Sequence, residues 1–289
     1  MSTHAPTVET LFDPATFTAT HIVSDPATGV AAIIDPVHDF DPRSGKLTTT
    51  SADRALAHIA ERGLTLAYVL ETHAHADHLS AGHLIRERTG AKLVIGAHIT
   101  AVQTVFASLF EADDVTPDGS AFDILFHEGD SLPLGALTIT ALHTPGHTPA
   151  CVTYRIGDAA FVGDTLFMPD YGTARADFPG GDAATLFRSI QRILALPPET
   201  RLFVGHDYLP AGRSDYRFET SVAAERADNI HIGAGVTEAD FVAMRTKRDA
   251  TLAAPTLLLP SLQVNIRGGA LPPASPRGRV YLKLPVTVA

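Results

Sequence analysis

A single cysteine, Cys151, gives the chain no intramolecular disulfide to form, and nothing in it calls for an oxidising compartment. Long apolar runs are missing as well: no stretch approaches the roughly 18 consecutive apolar residues of a membrane span. Residues 1–17, MSTHAPTVETLFDPATF, hold no lysine or arginine and no apolar core. That argues against a secretory signal and against an Arg-rich transit peptide, so the expected location is cytoplasmic. Positive charge is also scarce, with 22 Lys and Arg against 32 Asp and Glu and a net charge of −10. Such a chain repels phosphate backbones and anionic headgroups, so neither nucleic acid nor a membrane is the expected partner, and a small molecule fits better.

What the chain does have is apolar material. Of its 289 residues 45% are hydrophobic, enough for a large core at the upper end of one domain's length. Short apolar runs bounded by Gly, Pro, Asp or Thr alternate with helical patterns, as in mixed α/β chains. Strands are expected at 17–24, 30–34, 66–70, 92–95, 122–126, 137–142, 152–156, 159–162 and 202–204. Helices are expected at 53–62 with Ser51 as cap, at 79–89 ending on Gly90, and at 183–194 with Asp182 as cap. In the third, Leu186, Ile190, Ile193 and Leu194 share one face and Arg188, Gln191 and Arg192 the other. With no uniform βαβ rhythm, the pattern points to an α/β (α+β) fold in which two mixed sheets stack face to face with helices outside. After Asp207 the character changes, with helices expected at 221–230 and 238–250 and then a Pro-punctuated stretch, PTLLLPSLQVNIRGGALPPASPRG. Its apolar run 257–259 would be exposed unless this part packed on the rest. We therefore expect one domain over 1–289, with a core at about 12–210 and an extension at 211–289.

Polar residues converge in a positional pattern. LAYVLETHAHADH, LTITALHTPGH, AAFVGD and RLFVGH each place a metal-ligand type of residue directly after an apolar run. Side chains at strand ends and in the loops beyond them can project into one crevice while the strands stay in the core. In THAHADH, His73 and His75 are two apart, which puts both imidazoles on one side of an extended segment, and Asp77 and His78 follow at the turn. Four ionisable groups in six residues are hard to bury without partners, at about 1–3 kcal/mol each, and a metal resolves that cost. Taken singly, His147, Asp164 and His206 read more simply as turn or cap residues; in this order and after THAHADH they read as ligands. The other nine histidines, His4, His21, His38, His58, His83, His98, His127, His143 and His231, read as exposed or locally hydrogen-bonded, with His143 a candidate support for His147.

THAHADH, TPGHT, GDT and GHDY resemble the ordered motifs of the metallo-β-lactamase superfamily, which implies an αββα sandwich with metal at one edge of the sheets. Within it, ETHAHADHLSAG, HTPGHTPACVTY, GDTLF, the ARADF segment, VGHDY and LPSLQVNIRGG are most similar to the persulfide dioxygenases, over about residues 12–269. The resemblance implies one iron(II) per chain held by His73, His147 and Asp164, a facial triad with open positions for substrate and O₂. It implies the oxidation of glutathione persulfide by O₂ and water to sulfite and glutathione. Arg175, two before Asp177, would pair with a carboxylate of glutathione, and Tyr208 would hydrogen-bond near the iron. The stretch between Asp164 and Arg175 is longer than in the best-known members and lacks a cysteine that some of them carry there. A homodimer is compatible with the resemblance.

The residues of a second metal position, His75, Asp77, His78 and His206, are all present. They keep open a glyoxalase II-like reading, in which two zinc ions bridged by Asp164 generate a hydroxide that cleaves a glutathione thioester. The Pro-rich tail and GHDY are closer to the dioxygenases. A β-lactam hydrolase is disfavoured without a secretion signal, and a non-catalytic sulfide or metal sensor would not need a complete set of ligands.

Overall fold

The computed structural model describes residues 5–286, so His4 lies outside the described residues. Its strands are β1 (Thr7–Asp13), β2 (Thr18–Ser24), β3 (Val30–Ile34), β4 (Val37–Asp41), β5 (Lys46–Thr48), β6 (Thr65–Glu71), β7 (Leu79–Ser80) and β8 (Lys92–Gly96). They continue with β9 (Ile124–Phe126), β10 (Ser131–Leu134), β11 (Leu137–His143), β12 (Val152–Ile156), β13 (Ala159–Gly163), β14 (Arg201–Val204) and β15 (Glu219–Ser221). The helices are α1 (Thr50–Glu61), α2 (Gly82–Thr89), α3 (Ile99–Leu109), α4 (Ala183–Leu194), α5 (Val222–Asp228), α6 (Glu238–Asp249) and α7 (Leu258–Asn265). One six-stranded sheet has the order β1-β2-β3-β6-β8-β9, a second β10-β11-β12-β13-β14-β15, and β5-β4-β7 form a small third sheet.

Alternation along the central strands explains the layering. In β3, Ala31 and Ile33 face a cluster shared with Ala52, Ala55 and Ile59 of α1, whereas Ala32 and Ile34 face the second sheet. In β13, Ala159 and Phe161 point back at the first sheet while Ala160 and Val162 pack on Leu186, Ile190 and Ile193 of α4. Both faces of these strands are buried, which is why they read as continuous apolar runs rather than alternating ones. The product is an αββα sandwich. In the extension, Leu257 and Val264 pack on Leu79, and Leu262 and Ile266 join the core beneath α2 and α3.

Several elements differ from expectation. The helix expected from residue 79 starts at Gly82, because Leu79 and Ser80 pair with His38 and Val37 as β7. Ser51 is not the cap of α1: Thr49 precedes the helix, and the Ser51 hydroxyl donates to Asp39 at 2.8 Å. Helix α7 forms despite Pro260, which lies in its first turn where a missing N–H is tolerated. Asp182 does cap α4, accepting the Thr185 N–H at 2.7 Å, and Gly90 closes α2 in a left-handed conformation.

One glycine ties α4 to the loop carrying His147. Gly146 has φ +133, and a Cβ there would stand 2.3 Å from the Leu186 backbone. Gly146→Ala is expected to lower unfolding stability by about 3 kcal/mol through backbone strain and displacement of α4. Urea denaturation measures this, and an unchanged midpoint would mean the loop does not depend on the close approach.

Candidate metal centre

Five strand ends meet at one edge of the sandwich. Strands β3 and β6 are parallel, β13 and β14 are parallel, and β11 and β13 each run antiparallel to β12. The carboxyl ends of β11, β13 and β14 therefore open together, as do those of β3 and β6. They deliver Asp35 after β3, Thr72 and His73 after β6, the His147 loop after β11, Asp164 after β13 and His206 after β14.

His73, His147 and Asp164 form one group whose ligand atoms lie within 4.8 Å of one another. Nε2 of His73 and of His147 stand 4.0 and 3.7 Å from Asp164 Oδ2. Those gaps are too wide for hydrogen bonds. Both rings present a lone pair at Nε2 because their other nitrogens are occupied. Thr72 donates its hydroxyl to Asp35 at 2.7 Å and so accepts from His73 Nδ1 at 3.0 Å. His147 Nδ1 donates to the Arg175 carbonyl at 2.8 Å. Burial, reinforced by the neighbouring imidazoles, holds His73 well below its ordinary pKa and hence neutral. Burial also raises the Asp164 carboxyl, against the pull of His206 and His147. His73 Nε2 and Asp164 Oδ1 are buried without a hydrogen-bond partner. Two imidazoles and a carboxylate gathered in the interior across gaps too wide for hydrogen bonds fit a divalent metal, whose charge removes the desolvation cost.

His75, Asp77 and His206 make a second group, with ligand atoms likewise within 4.8 Å of one another. His206 Nε2 lies 3.2 Å from Asp77 Oδ2 and 3.3 Å from Asp164 Oδ1, and its Nδ1 donates to the Phe17 carbonyl at 3.0 Å. Burial opposes charge on His206, but Asp164 and Asp77 outweigh it and raise its pKa. His75 turns Nε2 away towards two buried carboxylates, 3.0 Å from Asp35 and 3.5 Å from Glu71. These overcome burial and raise His75 well above its usual value. His78 stays outside both groups; its Nδ1 faces the Leu79 carbonyl at 3.4 Å, and burial, with the positive His75 next in importance, lowers it to about 3.

A cavity of about 250 Å³ opens above these residues, lined in part by Asp77, His147, Asp164, Tyr208 and Arg175. Tyr208 stacks on His206 with ring centroids 5.5 Å apart, and burial, aided by Asp77 and Asp164, pushes its phenol well above the usual value. Arg175 reaches the cavity wall, but its guanidinium is engaged: Nε and one terminal nitrogen donate to Asp177 at 2.5 and 2.7 Å, and the other to the Ala253 carbonyl at 2.7 Å.

Three residues essential to this arrangement escaped the sequence reading. Asp35, at φ +51, accepts from both the N–H and the hydroxyl of Thr72 at 2.7 Å while contacting His75. Its signal was present, since AAIIDP places an aspartate after an apolar run as AAFVGD does. Glu71 gave no such signal, as a strand residue. Asn265 of α7 donates to the carbonyls of His75 and His78 at 2.7 and 2.8 Å and accepts the Ser80 N–H, so the extension holds the THAHADH loop in shape. Among the other histidines, His21 is neither exposed nor locally bonded: it is buried, sharing a 2.9 Å bond with Thr10 on the paired strand β1 and facing the Val204 carbonyl at 3.0 Å. His143 hydrogen-bonds the Pro149 carbonyl at 3.0 Å and stacks on His98, bracing the loop that carries His147.

Residues 20–206 match the model of the metallo-beta-lactamase superfamily. The chain is 54% identical over 291 residues to a Burkholderia pseudomallei protein named "Probable metallo-hydrolase", covering 97% of this chain and 99% of that one. It is 46% identical over 268 residues to Glyoxylase B2 of Dictyostelium discoideum, covering 92% and 91%. With the mitochondrial persulfide dioxygenase ETHE1 of Homo sapiens it shares 32% identity over 201 residues, 68% of this chain and 67% of that one. Among solved structures, ETHE1 from Myxococcus xanthus matches with a TM-score of 0.73 at 32% identity, over 91% of this chain and 100% of that chain.

Proposed function

This chain belongs to the metallo-β-lactamase superfamily, and from that premise we propose that it is a mononuclear iron-dependent dioxygenase that oxidises a glutathione persulfide to sulfite and glutathione. The observation that carries the reading is the unequal spacing of the two groups around Asp164. One oxygen faces two imidazoles across gaps of 4.0 and 3.7 Å, while the other lies 3.3 Å from His206, which also contacts Asp77 at 3.2 Å. The first arrangement leaves room for an ion between its donors, whereas in the second His206 Nε2 already stands at ion-pair distance from Asp77 and Asp164. His75 Nε2 likewise faces Asp35 at 3.0 Å and Glu71 at 3.5 Å. One metal held by two histidines and one carboxylate is the ligand set of oxygen-activating iron.

His73, His147 and Asp164 would hold iron(II), which when bound supplies redox chemistry and open positions for O₂ and a sulfur ligand. The protein's own part is orientation and exclusion of water. Thr72 and the Arg175 carbonyl fix which nitrogen of each imidazole faces inward. Phe167, Tyr171 and Tyr208 make an aromatic wall, with Tyr171 and Tyr208 centroids 5.1 Å apart, that shields the reacting sulfur. His206, whose pKa Asp164 and Asp77 raise, stands beside both carboxylates, where it can support charge that develops in the cavity.

A second reading has its own support. His75, Asp77 and His206 have ligand atoms within 4.8 Å of one another, and relatives of higher identity carry the names metallo-hydrolase and glyoxylase. A dinuclear zinc hydrolase of glutathione thioesters would use both groups. Metal analysis of protein purified without added metal, with O₂ uptake on glutathione persulfide and hydrolysis of S-lactoylglutathione, separates the two. About one iron per chain and persulfide-dependent O₂ consumption with sulfite release are expected. Two zinc ions with thioester turnover would overturn the proposal.

A further inference from the structure

We propose that a carboxylate of the substrate's thiol carrier is held by Arg248 of α6, and not by Arg175, an inference that rests on reading the site as one for a glutathione-type persulfide. The space above the metal groups divides into two lobes that share Ala76, His147, Arg175 and Pro255. The second, of about 240 Å³, is walled by Phe178, Pro179, Ala254 and Leu258 and offers little to an anion beyond Arg175 itself. The first runs past Tyr171 and Tyr208 to Arg245 and Arg248.

Three guanidiniums therefore line the first lobe, and two are already neutralised. Arg175 is bound in both prongs by Asp177 and capped by the Ala253 carbonyl. Arg245 is buried, with Nε and a terminal nitrogen 2.9 and 2.7 Å from Asp249 and the other terminal nitrogen on the Thr173 carbonyl at 3.0 Å. Arg248 is exposed on α6, and its side chain has no hydrogen-bond or ion-pair partner among the described residues. Three cations less two paired carboxylates leave one positive charge at this end, on a chain whose net charge is −10.

The helix that carries Arg248 is also fixed relative to the metal ligands. Asp249, its neighbour, accepts the Ala176 N–H at 2.9 Å, and Arg245 clasps Thr173 on the same loop. Between them lies Arg175, whose carbonyl orients His147. A planar fork carried on a helix fixed in this way can meet a carboxylate two-pronged while the sulfur end reaches the metal groups. Arg175 could accept a carboxylate only by releasing Asp177, so its positive charge serves the loop rather than the ligand.

The test uses the full-length, iron-loaded protein with glutathione persulfide and with the same persulfide esterified at both carboxylates. Arg248→Ala is expected to raise KM for the charged substrate about tenfold, with kcat changed less than twofold and metal content normal. Arg248→Lys should recover part of the loss, and the diester should show the same KM in wild type and Arg248→Ala. Calorimetric binding of glutathione itself should weaken about tenfold in Arg248→Ala. If wild type consumes no O₂ with persulfide while glutathione binding still falls in Arg248→Ala, the dioxygenase reading is lost and the Arg248 assignment stands. Unchanged KM and unchanged glutathione binding in Arg248→Ala overturn the assignment, as does an equal penalty on the diester.

Discussion

Asp164→Ala is expected to remove metal and activity together. Asp164 supplies the only negative charge of the first group and faces His73 and His147 through Oδ2 and His206 through Oδ1. Two imidazoles alone hold a divalent ion far less tightly. Loss of partners that merely support a ligand costs about 10–100-fold in metal affinity or activity, and loss of this carboxylate should exceed that, to on the order of 10³-fold in kcat/KM. The residue is buried but sits at a strand end rather than in the apolar core, and removing a carboxyl whose pKa burial raises relieves desolvation. Unfolding stability without metal should therefore fall little. Elemental analysis and steady-state assays read the first effect and urea denaturation the second; full metal content in Asp164→Ala would show the ligand assignment to be wrong.

The second large effect is expected at Asp35, which lies outside the group of His73, His147 and Asp164. Asp35 receives the Thr72 N–H and hydroxyl, each at 2.7 Å, and lies 3.0 Å from His75 Nε2. Burial opposes its ionisation, yet His75 and the Thr72 donors hold it below the ordinary carboxylate value. Asp35→Ala leaves a buried N–H without its partner and a buried charged imidazole with only Glu71, at 3.5 Å, and places a Cβ-bearing apolar residue at φ +51. The expected loss is about 3–5 kcal/mol. Asp35→Asn keeps the side chain's shape and tolerates that φ, so it should lose about half as much. Both should also weaken metal binding, since without Asp35 the Thr72 hydroxyl no longer fixes the His73 tautomer. Stability equal to wild type in Asp35→Ala would mean that His75 is not held as an ion pair.

The acid side follows from the same pair. The Asp35 carboxyl has a folded pKa below its unfolded one, so its stabilising contribution is present above the unfolded carboxylate value and is lost as pH falls towards the folded one. His75 has a folded pKa raised well above its unfolded one, so its share is complete below the usual histidine value and fades only on the alkaline side.

Much of the site was legible because each motif follows a buried strand. β6, β13 and β14 are apolar on both faces, so their runs in the sequence end where the chain leaves the core, and the residues that come next are those free to do chemistry. The edge elements were not legible for the opposite reason. β1 is half-buried along most of its length and β15 is three residues long, so neither carries a clear apolar period. Helix α3 reads as a mixed run because Val105 and Leu109 are exposed beside buried Val102 and Phe106. The commitment of Arg175 to Asp177 and Ala253 was likewise invisible, since Ala253 is 78 residues away in the chain.

From its sequence alone the chain determined which side chains could bind a metal and that they would share one edge of a sandwich, because burial forces apolar strands inward and leaves polar residues at their ends. Only the tertiary structure decided how the two oxygens of Asp164 are divided, that Asp35 and Glu71 claim His75, that Asn265 clasps the histidine loop, and that Arg248 is left without a carboxylate. Those outcomes depend on contacts between segments far apart in the chain, where packing rather than local pattern chooses the partner of each charge.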